Sequence, residues 1–185
     1  EASQGNTTSQ VSAPTSSTSV AKSIPDVASW RNIKVSDMFD YAYNTYRNAD
    51  SHLMKNVEWG AVAYLTNAIG RIPYINNSSR FVTGNAGGSQ NASSTSSTTN
   101  AWNTANGVKA STTHNVYGIY DMSGGSWEYV AAYVNNGHSN LSSSASSLVN
   151  AATKYKDVYP KGSRDSRDNN YAAWSSIKGD AVYET

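Results

Sequence analysis

A chain of 185 residues holds one ordinary domain with room for a tail, and its formal net charge of +1 comes without a run of Lys or Arg, which excludes an electrostatic footprint for nucleic acid. Only 15% of residues are charged, so the mean hydropathy of -0.57 reflects Ser, Thr and Asn, which make up roughly a third of the chain, well above ordinary usage. Cysteine is absent, which removes disulfides, thiol nucleophiles and thiolate-ligated metals together, and no apolar run is long enough to span a membrane.

The first predicted element is a Ser/Thr-rich leader over residues 1–23, too polar to bury a core by itself. An added β-strand, against its own or a neighbouring subunit, is the expected way to hold it, and Val11, Ala13 and Val20 give a weak alternation for such a strand. Globular character is predicted for 24–185, beginning at Ile24-Pro25-Asp26-Val27-Ala28-Ser29-Trp30. A first helix follows, with Ser36 as its N-cap, Asp37 in the first turn, and Phe39, Ala42, Tyr43 and Tyr46 at helical spacing. A second helix is predicted from about Asn56 to Thr66. Trp59, Val62, Ala63 and Thr66 make its face, flanked by Ala61 and Leu65.

A long Gly/Ser/Thr/Asn loop is read between residues 83 and 113, a surface excursion or binding loop. Asn115 to Tyr120 reads as a strand entering a turn at Ser123-Gly124-Gly125, and Trp127 to Val134 as a buried strand. A second polar loop is expected over 135–150. The alternating charges of Lys161 to Asp168 read as a solvated loop.

Two segments are more specific. Met54-Lys55-Asn56-Val57-Glu58-Trp59-Gly60-Ala61-Val62-Ala63-Tyr64-Leu65 resembles the Glu-Trp helix of the formylglycine-generating-enzyme superfamily. Asn115-Val116-Tyr117-Gly118-Ile119-Tyr120-Asp121-Met122-Ser123-Gly124-Gly125-Ser126-Trp127-Glu128-Tyr129 is similar to the densest motif of that superfamily, whose fold is shared with C-type-lectin-like variable proteins. The first segment also resembles bacterial surface proteins, some pilin-associated, that carry this domain without known catalysis. The resemblance implies an α+β fold with two helices, short irregular strands and long loops, preceded by the extended leader. It departs from the family at Gly125, where an Asn is usual. The family's closing hairpin should start about where this chain stops, which reads as a domain shortened at its C-terminus or completed by another copy.

The turn has a chemical reading as well. Asp121, Gly124, Ser126 and Glu128 offer two side-chain carboxylates and two backbone carbonyls from one tight loop, the oxygen-only donor set that Ca²⁺ prefers. Members of the resembled family bind structural calcium at these offsets, which implies the same here. The alternative is that Asp121 caps the turn and Glu128 forms a surface pair.

Catalysis finds little support. The copper-holding cysteine pair of formylglycine generation is missing, and His52, His114 and His138 stand singly, without metal-ligand spacing. No G-x-S-x-G elbow occurs. Sequons at Asn6, Asn76, Asn77, Asn91 and Asn140 are expected by chance in a chain this rich in Asn, Ser and Thr.

The expected protein is therefore non-catalytic and extracellular or displayed on a bacterial surface. One reading is a homo-oligomeric structural subunit of a filament or pilus-like assembly, joined through the leader. The other is a monomeric, lectin-like adhesin or display module whose loops meet a glycan or a host protein, with Trp102, Asn103 and Asn106 as candidate contacts.

Overall fold

The computed structural model describes residues 11–12, 20–24, 30–31, 33–73, 102–120, 122 and 129–160. They are mixed α+β: four helices, short 3₁₀ turns and two small parallel sheets. The chain divides into two compact units, one of residues 1–14, 20–33 and 62–128, the other of 15–19, 34–61 and 129–185.

The second unit begins with α1 (Val35–Thr45), which has Asp37 in its first turn. Its N-cap is Lys34, in extended backbone, where the sequence pointed to Ser36. Lys34 makes no side-chain cap; the orphan N–H of Ser36 is instead satisfied by the carbonyl of Ser144 at 3.0 Å. The Ser36 hydroxyl accepts from the N–H of Ser147 (3.2 Å), and Asp40 accepts from the Ser147 hydroxyl (2.8 Å). A tertiary contact has taken the place of the local cap.

Those bonds come from α3 (Ser139–Ser143) and α4 (Ser146–Asn150), two five-residue helices where the sequence suggested a polar loop and only two helices in all. The polar wording hid one anchor. Leu148 is fully buried and packs with Phe39 and Ala131, while Val35, Tyr43, Leu53, Tyr133, Ala151 and Tyr155 close around them. Phe39 and Tyr43 stack at 6.3 Å and Tyr155 meets Tyr43 edge-on at 5.4 Å, both favoured aromatic geometries. Of the helical positions expected to face inward, Tyr46 is the exception, lying exposed just past the helix end.

Strands β3 (Ala132–Asn135) and β4 (Asp157–Pro160) pair in parallel, Ala132 beside Asp157 and Asn135 beside Pro160. Parallel neighbours need a crossover, and α3 and α4 supply it. Pro160, the last described residue of the ladder, has no N–H to donate to it. The buried strand expected over 127–134 thus begins only at Ala132 among the described residues.

Helix α2 (Asn56–Ala68) forms where expected, with a well-defined start and stop. Glu58 reaches back to the N–H of Lys55 (2.8 Å), half of a capping box, and Asp157 of β4 accepts the N–H of Val57 (3.0 Å). At the far end Gly70 takes φ +70, the N–H of Arg71 reaches the carbonyl of Thr66 (3.1 Å), and that of Gly70 reaches Asn67 (2.9 Å). This is a Schellman termination, and the left-handed residue it needs is a glycine.

In the first unit, β1 (Val11–Ser12) pairs in parallel with β2 (Trp30–Arg31), so these two leader residues lie beside their own chain. Among the described residues no helix is long and apolar enough to cross a membrane.

Candidate functional site

The calcium assignment, Asp121, Gly124, Ser126 and Glu128, lies outside the described residues. Of the 121–128 turn only Met122 is described, and it is buried. Among the described residues no three His, Asp or Glu side chains gather as a metal site.

The candidate contact residues do fall in described chain. Trp102 is half-buried; Tyr120 meets its ring edge-on at 6.3 Å and donates its hydroxyl to the Trp102 carbonyl at 2.8 Å. Burial pushes the Tyr120 phenol up, against a smaller lowering by the Ser111 hydroxyl. Asn103 and Asn106 are exposed, and Asn106 leads into a 3₁₀ turn over Gly107–Ala110. The hydroxyl of Thr104 accepts the N–H of Gly107 (3.0 Å) and fixes the approach.

This turn leads to a buried polar knot. Ser111 is fully buried, its hydroxyl 2.8 Å from the carbonyls of Val108 and Asn115 and accepting from the N–H of Asn115 (3.2 Å). Thr112 and Ile119 bond reciprocally, the Thr112 N–H donating to the Ile119 carbonyl at 2.9 Å and the Ile119 N–H to the Thr112 hydroxyl at 3.0 Å. The expected strand over 115–120 is therefore a set of turns, because side chains have taken the backbone partners that a ladder would use. Gly118 is required by space: a Cβ there would meet the Ser111 and Thr113 hydroxyls, each at 2.6 Å. Asn115 closes the last turn, its carbonyl accepting from Gly118 (3.1 Å) and its side chain from the N–H of Tyr117 (2.9 Å). Tyr117, at the tip, is 93% exposed.

The second unit carries a polar cluster that the sequence reading missed. Asp50 adopts the left-handed conformation, φ 59, and accepts Lys154 (2.8 Å) and the Tyr155 hydroxyl (2.5 Å). Those hydrogen bonds, Lys154 first, hold its carboxyl below the usual range, and Lys154 and Tyr155 are pushed up in turn. Next to it His52 lies between two acceptors, the Asp50 carbonyl at 2.9 Å from Nδ1 and both Glu58 oxygens at 3.2 Å from Nε2. A neutral imidazole has one N–H, so only the imidazolium satisfies both. The Asp50 carbonyl accordingly raises His52, with Glu58 adding to it against the opposing effect of burial. Burial pulls Glu58 upward, but the Lys55 N–H and His52 outweigh it and leave its carboxyl lowered.

This chemistry is that of a clasp. Glu58 is committed to the start of α2, and His52 to joining Glu58 with the turn after α1. The one sequence signal was the capping position of Glu58, three residues after Lys55. His114 and His138 are likewise occupied: Nε2 of His114 meets the Ile72 carbonyl (3.0 Å), and Nδ1 of His138 accepts from Asn140 (3.1 Å).

The chain matches no protein-family model, and comparison with curated proteins and with solved structures finds no similar protein. The likeness to formylglycine-generating enzymes rests on the two sequence segments alone.

Proposed function

We propose that the chain is a non-catalytic, secreted or surface-displayed structural subunit of a bacterial filament or pilus-like assembly. The observation that carries this reading is where the large apolar side chains lie. Leu65, Ile69 and Ile72, on and just beyond α2, are 67%, 55% and 69% exposed, and Tyr117 stands free of the fold at its turn tip. Exposed apolar groups concentrated in this way mark contact surfaces, whereas the titratable groups described above are tied into caps and turns. The leader fits the same reading. Among the described residues Val11 and Ser12 pair with β2 as an added strand, a pairing that the same segment of a neighbouring copy could make by exchange. The absence of cysteine and the hydroxyl-rich composition agree with a protein that works outside the cell and is stabilised by its neighbours.

The C-type-lectin-like fold and the calcium turn belong to this proposal. The donor set of Asp121, Gly124, Ser126 and Glu128 is oxygen-only, suited to a hard cation. Excess EGTA should lower the melting temperature of the intact protein, and an unchanged melt removes the calcium assignment.

A second reading, a display module, is favoured by one observation. Tyr117 is held at the tip of a turn braced by Asn115, with Asn103 and Asn106 exposed in the same unit, and Tyr beside Asn is a recurrent recognition pairing. Electron microscopy of the intact chain separates the two. Regular polymers support the structural subunit; dispersed single particles that bind a glycan or protein array support display.

A further inference from the structure

In an Asn-Gly pair the side-chain amide of asparagine can be attacked by the next peptide nitrogen, because glycine puts no side chain in the way. The chain has two such pairs, Asn106-Gly107 and Asn136-Gly137. They are equivalent as dipeptides, and the fold treats them differently.

At Asn106 the attacking nitrogen is already committed. The N–H of Gly107 donates to the Thr104 hydroxyl at 3.0 Å, and Gly107 is buried. Asn106 itself is in right-handed helical backbone, φ -89 and ψ -40, leading into the 3₁₀ turn. Closing a ring onto that nitrogen would break the bond to Thr104 and pull the peptide out of its turn.

At Asn136 each of these restraints is lifted. Gly137 is exposed, no atom lies within 4 Å of a Cβ placed on it, and among the described residues its N–H has no acceptor. Its φ of +75 makes glycine the residue this turn needs. The Asn136 side chain folds back over the chain as an Asx turn, Oδ1 accepting the N–H of His138 at 2.9 Å. That places a backbone donor on the oxygen that turns negative when the amide carbon is attacked. The donor is held in place, since the His138 ring accepts the N–H of Asn140 (3.1 Å) at the start of α3.

We infer that Asn136 is a site of spontaneous intramolecular deamidation, assisted by the His138 N–H, and that the fold protects Asn106. A solvent base removes the Gly137 amide proton, and the nitrogen forms a bond to Cγ of Asn136. The bond from Cγ to Nδ2 breaks, the departing nitrogen takes up a proton, and ammonia leaves behind a five-membered succinimide. Water then opens the ring. Attack at Cγ gives aspartate, and attack at the backbone carbonyl gives the β-linked isoaspartyl form. One water enters, one ammonia leaves, and no electrons change hands. Either product sets a new carboxylate between β3 and α3. The isoaspartyl form also adds one backbone carbon to the connection that carries Leu148 to the core.

The intact chain is incubated at mildly alkaline pH, in buffer and in concentrated urea, then digested. Mass spectrometry reads the conversion of asparagine to aspartate at both positions, with electron-based fragmentation separating the isoaspartyl form. In buffer Asn136 should convert at least about tenfold faster than Asn106, and in urea the two rates should converge. Equal rates in buffer, or a faster Asn106, would overturn the inference. A gap that survives in urea would overturn it too, because flanking residues and not the fold would then set the rates. The donor is tested by two variants. His138→Ala removes the ring and keeps the N–H, whereas His138→Pro, which suits the φ of -65 at that position, removes both. Conversion at Asn136 should be several-fold slower in the proline variant than in the alanine variant, with matching circular dichroism spectra; equal rates would contradict the assisted reaction. Should the proline variant fail to fold, the comparison of buffer with urea on the unaltered chain still decides.

Discussion

His52 is caught between two acceptors, and this sets how the second unit responds to pH. Its pKa is raised above the ordinary 6.5, so its stabilising contribution is complete below that value and lost as pH rises through the folded-state pKa. Glu58 is lowered from 4.5, so its contribution is present above that value and lost as pH falls through the folded-state pKa. The clasp is therefore strongest between about pH 4.5 and 6.5. His52→Gln keeps one hydrogen bond and removes the charge. Urea midpoints should show the wild type ahead of this variant at pH 5.5, with the gap closing by pH 8.5; a constant gap would mean that packing, not charge, holds the residue. The sequence could not show this pair. Two side chains six positions apart meet only because the 3₁₀ turn after α1 ends in a left-handed Asp50 and points His52 back at the helix start.

At the scale of elements, α2 was the most legible part of the fold. Its inward face, with Trp59, Val62 and Ala63 half-buried and Thr66 buried, follows from spacing, and its stop is written in Gly70. No atom lies within 4 Å of a Cβ placed on Gly70, so Gly70→Ala should cost about 1 kcal/mol through backbone conformation alone, read as a lowered urea midpoint with unchanged slope. Helices α3 and α4 were illegible for a physical reason. Their sequence, Ser139 to Asn150, has the composition of a loop, and they exist because Leu148 finds Phe39 and because Ser36, Asp40 and Ser144 exchange hydrogen bonds across more than a hundred residues. Leu148→Ala should therefore cost about 2–5 kcal/mol, a core-sized loss from a segment that looks like a linker. Leu65→Ala, on an exposed position of a far better helix, should stay within about 0.5 kcal/mol when the protein is dilute.

For the whole molecule, composition spoke to class more than to site. Hydroxyl-rich polarity, no cysteine and a near-zero net charge pointed away from nucleic acid and thiol chemistry, and the structure adds apolar side chains that its own fold leaves outside. That surplus was only partly visible in advance. Leu65 was read as a flank of the inner face, whereas it stands at the middle of an outer one. The turn at Asn115 to Gly118 was read as a strand because alternation alone cannot show that Ser111 and Thr112 have claimed the backbone partners. The most direct test of a subunit finished by its neighbours is sedimentation equilibrium of the intact chain over a wide concentration range. Self-association requires an average mass that rises with concentration above the 19.8 kDa of one chain. A mass that stays at the monomer value throughout would contradict it.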